Sequence, residues 1–465
     1  MISLLEIFDK TQSGPICLEK DFDLTVYAQR LRQLVKEYNI KHNVDEPLSQ
    51  NLEMADVVFE AGVKLAADVG LLCLNTQRRI TFSEEELWAH LKTLPNSIEL
   101  GEGDEKRVMK HRNVCDSHPP ILQMGTLGQP TSEKAFVKET EVFAKLPLID
   151  TINMGSLITV HGRQVRMGSP LEIEASKMEI RTVRKTLEKV AKPGMHILGT
   201  ESSVSIGDLA VSSSEGGLRK SDGHLVALTA ELKTNYNALS NVFHVKDYGG
   251  FICGLYDLIM GGYAGGPEGV AITKVAGSIL LSIAHRADYS ITGTPCDITY
   301  AESPSEKKLR QLFWAHSIAT QAISRNSKLL VGGTAAGAAG PGTQMLFYET
   351  AATTIMHVTS GCAFIETCFP LFNRYPDRPA PLEALYTGEI AHSATQGKLT
   401  LEEGNTIINR IFDEKLSCYM GSAPPQGKTF DQTFDLEKLA PTSEYLATYN
   451  QARKEFEDLT GFRLD

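Results

Sequence analysis

The sequence predicts a (β/α)8 barrel with helical extensions at both ends, and three observations carry that expectation. From about Pro119 to about Gln396, short apolar runs alternate with long helical stretches, the pattern of βαβ units around a parallel sheet. The apolar runs number eight. Their span of about 270 residues suits one barrel of this kind. An open doubly wound sheet shows the same alternation, but no Gly-x-Gly-x-x-Gly follows a first strand here.

Residues 1–116 read as a helical N-terminal extension. Asn51 to Val69 places Leu52, Val58, Phe59, Val63 and Ala66 at helical spacing. Ser83-Glu84-Glu85-Glu86 opens another helix as a capping box. The charged, glycine-containing stretch Gly101 to Asp116 reads as the link to the main domain, residues 117–397. Expected strands there are Ile121–Gly125, Leu148–Met154, Met195–Leu198, Asn241–Val245, Leu255–Met260, Cys296–Tyr300, Leu329–Gly333 and Cys362–Thr367.

Between them, Ser169-Pro170-Leu171-Glu172 is a capping box with proline at the first helical position. Ile180, Val183, Leu187 and Val190 then share a face until Pro193-Gly194 stops the helix. Ser303-Pro304-Ser305-Glu306 repeats this start. Pro267 to Ala284 is apolar nearly all round, which predicts a buried helix and a candidate subunit contact. Residues 398–465 form a helical C-terminal extension, broken by glycine and proline from Gly421 to Lys428, with a last amphipathic helix from about Thr442 to Leu459.

Composition narrows the function. With 42% hydrophobic and 22% charged residues, the chain has an ordinary globular profile. It shows no run of about 18 apolar residues to span a membrane and no signal-peptide pattern at its start, so a cytoplasmic protein is expected. The net charge is −11 and no Lys/Arg cluster is dense enough to track phosphates, which argues against nucleic acid as a partner. The eight cysteines form no Cys-x-x-Cys pair and give neither a disulfide framework nor a zinc ribbon.

Several residues stand where chemistry can occur. The stretch Pro193 to Ser203 is a helix stop, a short apolar strand and a polar turn, which puts Glu201 just past a strand end. Asp222-Gly223-His224 offers a carboxylate beside an imidazole, an acid–base pair at what reads as a helix start. His244 and Lys246 end the expected fourth strand. Three glycine-rich runs, Tyr248-Gly249-Gly250, Gly261 to Gly266 and Gly332 to Gly342, follow expected strands and predict a wide, backbone-lined opening. The last lacks the Gly-Lys-Ser/Thr ending of a phosphate loop. His111, Cys115 and His118 have metal-compatible spacing but lack a clear fourth ligand, so no metal site is assigned. The aromatics Tyr236, Phe251, Tyr256 and Tyr263 read first as core and second as a cation-binding wall.

Taken together, Pro193-Gly194-Met195, Gly199-Thr200-Glu201-Ser202, Asp222-Gly223-His224, Gly261 to Gly266, Ala339-Gly340-Pro341-Gly342-Thr343, Ser422-Ala423-Pro424 and Gly427-Lys428-Thr429-Phe430 resemble the monomethylamine:corrinoid-protein methyltransferases. The resemblance runs from about residue 50 to the end. It implies a barrel enzyme, a hexameric homo-oligomer, no tightly bound cofactor of its own, and methyl transfer to the Co(I) of a small corrinoid protein docked over the barrel mouth.

The departures are as informative. The resemblance places pyrrolysine, which holds the amine covalently, at the position of Leu198. It places a site glutamate at Leu255, and a glutamine and a tyrosine at Thr334 and Ala336. Losing those groups empties volume and removes the electrophile that captures a neutral amine. The expectation is a pyrrolysine-free methyltransferase acting on a methylated substrate other than, or larger than, monomethylamine. Glu201, Asp222 and His224 would orient substrate or move protons, His244 and Lys246 would supply polar contacts, and Leu198, Leu255, Tyr263, Thr334 and Ala336 would shape the pocket. The alternatives are monomethylamine chemistry by a pyrrolysine-free route, a non-catalytic homologue that binds the corrinoid protein, and an unrelated metal-assisted lyase.

Overall fold

A computed structural model of the chain describes residues 2–199, 206–212, 217–293, 300, 302 and 304–464. Its centre is a closed barrel of eight parallel strands. They are β1 (Ile121–Gly125), β2 (Thr151–Asn153), β3 (Ile197–Gly199), β4 (Gly223–Ala227), β5 (Phe251–Leu255), β6 (Tyr289–Ile291), β7 (Val331–Gly337) and β8 (Phe364–Pro370). Each pairs with the next, and β8 returns to β1 through Phe364–Ile121 and Glu366–Gln123. The closed (β/α)8 fold expected from the sequence is present.

Helix α1 (Leu52–Val69) belongs to the N-terminal extension. Around the barrel run α2 (Glu133–Ala144), α3 (Pro170–Lys189), α4 (Ile206–Val211), α5 (Tyr236–Tyr248), α6 (Pro267–Ala284), α7 (Glu306–Asn326), α8 (Gln344–Ser360) and α9 (Pro381–Gln396), one after each strand. The final helix, α10 (Ser443–Thr460), starts on a Thr442 cap and buries Tyr445, Tyr449 and Phe456 in the core shared with α8 and α9.

The N-terminal extension is built into the barrel's outer layer. Phe59 and Leu65 of α1 share one apolar core with Ile272 and Ile279 of α6 and Trp314 of α7. Nearly every residue of α6 is buried. By length and composition this helix alone, among the described residues, meets the test for a membrane span, yet it lies inside the fold.

The stretch read as a charged link is an ordered hairpin. Ser97–Leu100 pairs antiparallel with Arg107–Lys110. Its apolar side, Ile98, Leu100 and Met109, packs on Leu198, Leu225, Cys253, Tyr289 and Phe364 from the barrel interior. One end of the lumen is thereby closed.

Other expectations need correction. Asn241–Val245 lies within α5, which Asn235 caps by accepting from the Ala238 amide and which Gly249 ends in the left-handed conformation. The fourth strand is Gly223–Ala227, so Asp222-Gly223-His224 opens a strand and not a helix. The fifth strand ends at Leu255. The sixth is Tyr289–Ile291, and residues 296–299 of the strand expected there lie outside the described residues. Helix α7 begins on Ser305, while Ser303 lies outside the described residues.

Candidate active site

Strand alternation decides which side chains enter the lumen. On β3 to β6 the inward positions are Leu198, Leu225, Cys253, Tyr289 and Ile291, which form one buried apolar cluster with Leu255 at its edge. Leu198 is fully buried. A Cβ added at Gly223, its register partner on the neighbouring strand β4, would lie 3.1 Å from its Cδ1, so the leucine lies over that glycine.

The opposite wall, on β1, β2, β7 and β8, is polar. Gln123 donates from Nε2 to Glu366 Oε1 at 2.6 Å. Thr334 donates to Glu366 Oε2 at 3.4 Å, and Thr151 donates to Gln123 Oε1 at 3.3 Å. Asn153 accepts the Leu127 amide at 2.9 Å and so holds the loop that leaves β1. Glu366 is completely buried. Burial pushes its carboxyl up to about 8, against hydrogen bonds from Gln123, Thr334 and Asn153 that favour the charged form.

A bulge lies directly beyond this carboxyl. Thr334 pairs with Glu366, but Ala335 pairs with Cys368, so β8 carries an extra residue there. Bulges beside sites re-aim side chains. Here the shift sets half-buried Phe369 opposite Ala336 at the C-terminal end of the strands, where barrel sites form.

The sequence-predicted residues scatter. Glu201 lies outside the described residues, immediately past the end of β3. Leu198, Leu255, Thr334 and Ala336 do line the lumen. Asp222 sits at the N-terminal end of β4, accepts the Ile197 amide at 3.0 Å and the Arg219 amide at 2.6 Å, and is paired with Arg184 of α3. His224 is fully buried on the outer side of β4, with Nδ1 2.6 Å from Asp208 Oδ1 of α4 and Nε2 against the Tyr248 hydroxyl of α5. The carboxylate beside His224 is therefore Asp208, and neither Asp222 nor His224 faces the lumen. His244 and Lys246 are on α5 and not at a strand end. His244 borders a groove with Leu5 and Phe8, and Lys246 pairs with Asp288 just before β6. Tyr263 is 47% exposed on the loop between β5 and α6.

The three glycine runs also separate. Gly249 caps α5 at the lower end of β5. Gly340 is covered: its amide donates to Pro425 O at 2.8 Å, and an added Cβ would lie 2.0 Å from Gln426 O. Only Gly261 to Gly266 forms an open loop at the expected face, with nothing within 4 Å of a Cβ at Gly261 or Gly265. His111 is bonded to Ser324 O, and no metal-holding group of His, Cys, Asp and Glu is found among the described residues.

Gln123, Asn153 and Glu366 are the lumen groups that sequence reasoning missed. Their signal was a polar residue inside an apolar strand run, Phe364-Ile365-Glu366 above all.

The family model described as monomethylamine methyltransferase MtmB matches residues 2–461. A monomethylamine methyltransferase MtmB of Methanosarcina mazei is 30% identical over 454 residues, covering 98% of this chain and 97% of the relative. MtmB1 of Methanosarcina acetivorans is 30% identical over 456 residues with the same coverage. The crystal structure of the Methanosarcina barkeri monomethylamine methyltransferase superposes with a TM-score of 0.91 at 28% identity over 98% of both chains. A hydroxylamine complex of MtmB gives the same figures.

Proposed function

The chain belongs to the monomethylamine methyltransferase MtmB family, and we propose that it moves a methyl group from a methylated amine larger than monomethylamine to the Co(I) of a separate corrinoid protein. Family membership along the whole chain supports the acceptor half of this reading. One observation carries the donor half: residue 198, inside the lumen, is a fully buried leucine.

A leucine offers no electrophile to capture a primary amine. A quaternary ammonium needs none, because its nitrogen leaves as a neutral tertiary amine. In that step the C–N bond breaks with its electron pair staying on nitrogen, and the electron pair of Co(I) forms the new bond to carbon. No proton has to be supplied. This chain's part is to hold the donor with one methyl presented toward the mouth, and positioning of that kind supplies much of the catalysis. Leu198, Leu255 and Ala336 set the apolar width of the lumen, Thr334 borders its polar wall, and Glu201, just past β3 in sequence, would orient the donor.

The test is methyl transfer to a reduced corrinoid protein from the same genome, followed by the visible spectrum of the corrinoid, with donors from monomethylamine to quaternary amines. Transfer from a quaternary donor but not from monomethylamine is the expected result. Transfer from monomethylamine would overturn the donor half. Binding of the corrinoid protein with no transfer from any donor would overturn catalysis and leave a docking homologue.

A further inference from the structure

We infer that Glu366 is the anionic anchor of the lumen, the group that takes up the positive charge of a methylated ammonium substrate while the apolar wall of β3 to β6 receives its methyl groups. The inference deepens the donor half of the proposed function and rests on it for the identity of the cation.

Three features place the carboxyl in this role. First, the lumen is divided. Leu198, Leu225, Cys253, Leu255 and Ile291 line one side, and Glu366 with Gln123, Asn153 and Thr334 lines the other. A small cation sheathed in methyl groups needs both surfaces, one for its charge and one for its skin. Second, among the described residues Glu366 is held by neutral donors only. Gln123 of β1, Asn153 of β2 and Thr334 of β7 fix its orientation and leave its charge uncompensated. A buried carboxylate without a cation is costly, so such a group stays protonated or acquires a counter-charge. Third, the bulge just beyond it sets Phe369 opposite Ala336 toward the C-terminal end of the strands, the end at which barrel sites open.

Among the described residues, the titratable groups that face the lumen with Glu366 from the other strands are Cys253 of β5 and its neighbour Tyr289 of β6, whose hydroxyl burial holds well above its ordinary range. His357, behind β7 and bonded to Thr334 O, is held down to about 4 by burial. Neither the Tyr289 hydroxyl nor His357 changes charge near neutral pH. Lys274 of α6, held down to about 8 by burial, donates from Nζ to Thr292 O just past β6, farther from the carboxyl. Entry of a cation beside the carboxyl therefore couples first to loss of the Glu366 proton. With the empty carboxyl pushed up to about 8, cation affinity rises close to tenfold per pH unit below that value and levels above it.

The experiment is calorimetric titration of the full chain with tetramethylammonium, beside tert-butanol as a neutral molecule of similar shape. Wild type is expected to prefer the cation at least tenfold at about pH 8 and to release close to one proton per cation bound at about pH 7, read from buffers of different ionisation enthalpy. Glu366→Gln is expected to lose that preference and the proton release, and Glu366→Asp to keep both in weakened form. Wild-type binding of the cation without proton release, or no measurable binding of the cation by wild type, would overturn the anchor; neither depends on a variant folding. An unchanged preference in folded Glu366→Gln would do the same. Methyl transfer by wild type together with an unchanged Glu366→Gln sinks the anchor and spares the proposed function. Glu366-dependent cation binding without methyl transfer sinks the proposed function and spares the anchor.

Discussion

Asp222 holds the Ile197 and Arg219 amides and the Arg184 guanidinium at the lower rim of the barrel. Arg184 is mostly buried, and desolvation holds it down to about 9, so it depends on that carboxylate. Asp222→Asn is expected to cost about 3–5 kcal/mol, because it leaves a buried cation unpaired. Lys246→Met, which breaks the more accessible pair with Asp288, is expected to cost less than about 1 kcal/mol. Urea unfolding of the two variants reads both, and an unmoved midpoint for Asp222→Asn would mean that Arg184 has another partner. The pairing Asp-Gly-His was legible as chemistry but not as placement. Residues two apart on a strand share a face, and that face turned out to meet helices. Glu366 carried a signal, a carboxylate inside an apolar run, that went unread. Its partner Thr334 stands on the preceding strand, but Gln123 is 243 residues away in sequence and only barrel closure brings it there.

Short apolar runs look alike as strand or helix, and α5 shows the consequence. Its Asn-Val-Phe-His-Val segment has the β-branched content of a strand, yet Asn235 and Gly249 supply both caps of a helix. The true fourth strand, Gly223–Ala227, begins with glycine and histidine and was too short and polar at its start to be read. The helix starts behind Ser83 and at Pro170 were placed well because a capping serine and a proline in the first turn are local chemistry, although the capping box expected at Ser169 is absent, its side chain making no cap bond, and α7 starts on Ser305. The packing of α1 on α6 was not legible, since Gly62 shows nothing in sequence of its neighbour Val275. A Cβ at Gly62 would lie 2.4 Å from Val275 Cγ1. Gly62→Ala should therefore destabilise by about 1–3 kcal/mol despite the better helix propensity of alanine, and Val275→Ala in the same chain should recover part of the loss. Thermal midpoints of the two singles and the double test this. A gain in stability from Gly62→Ala would show that the two helices separate freely.

Buried titratable groups give the whole molecule a pH profile whose sign can be worked out. Burial pushes Glu231, Glu349 and Glu383 up to about 7, Glu366 up to about 8 and Glu139 well above its ordinary range, against about 4.3 in an unfolded chain. It holds His90, His196, His285 and His357 down to about 4 and His316 well below its ordinary range, against about 6.5 unfolded. Between about pH 4.3 and 6.5 the fold keeps carboxyl protons at these five glutamates that the unfolded chain has lost, and lacks imidazole protons at these five histidines that the unfolded chain holds. The two slopes oppose and nearly cancel. Above about 6.5 the imidazoles are neutral in both states, while the carboxyls stay protonated only in the fold. Stability then falls with rising pH, by about 1.4 kcal/mol per unit for each such carboxyl, until Glu231, Glu349 and Glu383 ionise near 7 and Glu366 near 8. Urea midpoints taken from about pH 5 to about pH 8 should be level at first and then drop, and Glu366→Gln should flatten the last part of the drop. A midpoint that stays level between about 6.5 and 8 would mean these carboxyls are already ionised inside the fold, and a cation in the lumen would then have no proton to displace. Saturating tetramethylammonium acts in the opposite direction to the empty site. It stabilises most where Glu366 is ionised, so its protection should grow from about pH 6 to about pH 8 as the unliganded protein weakens.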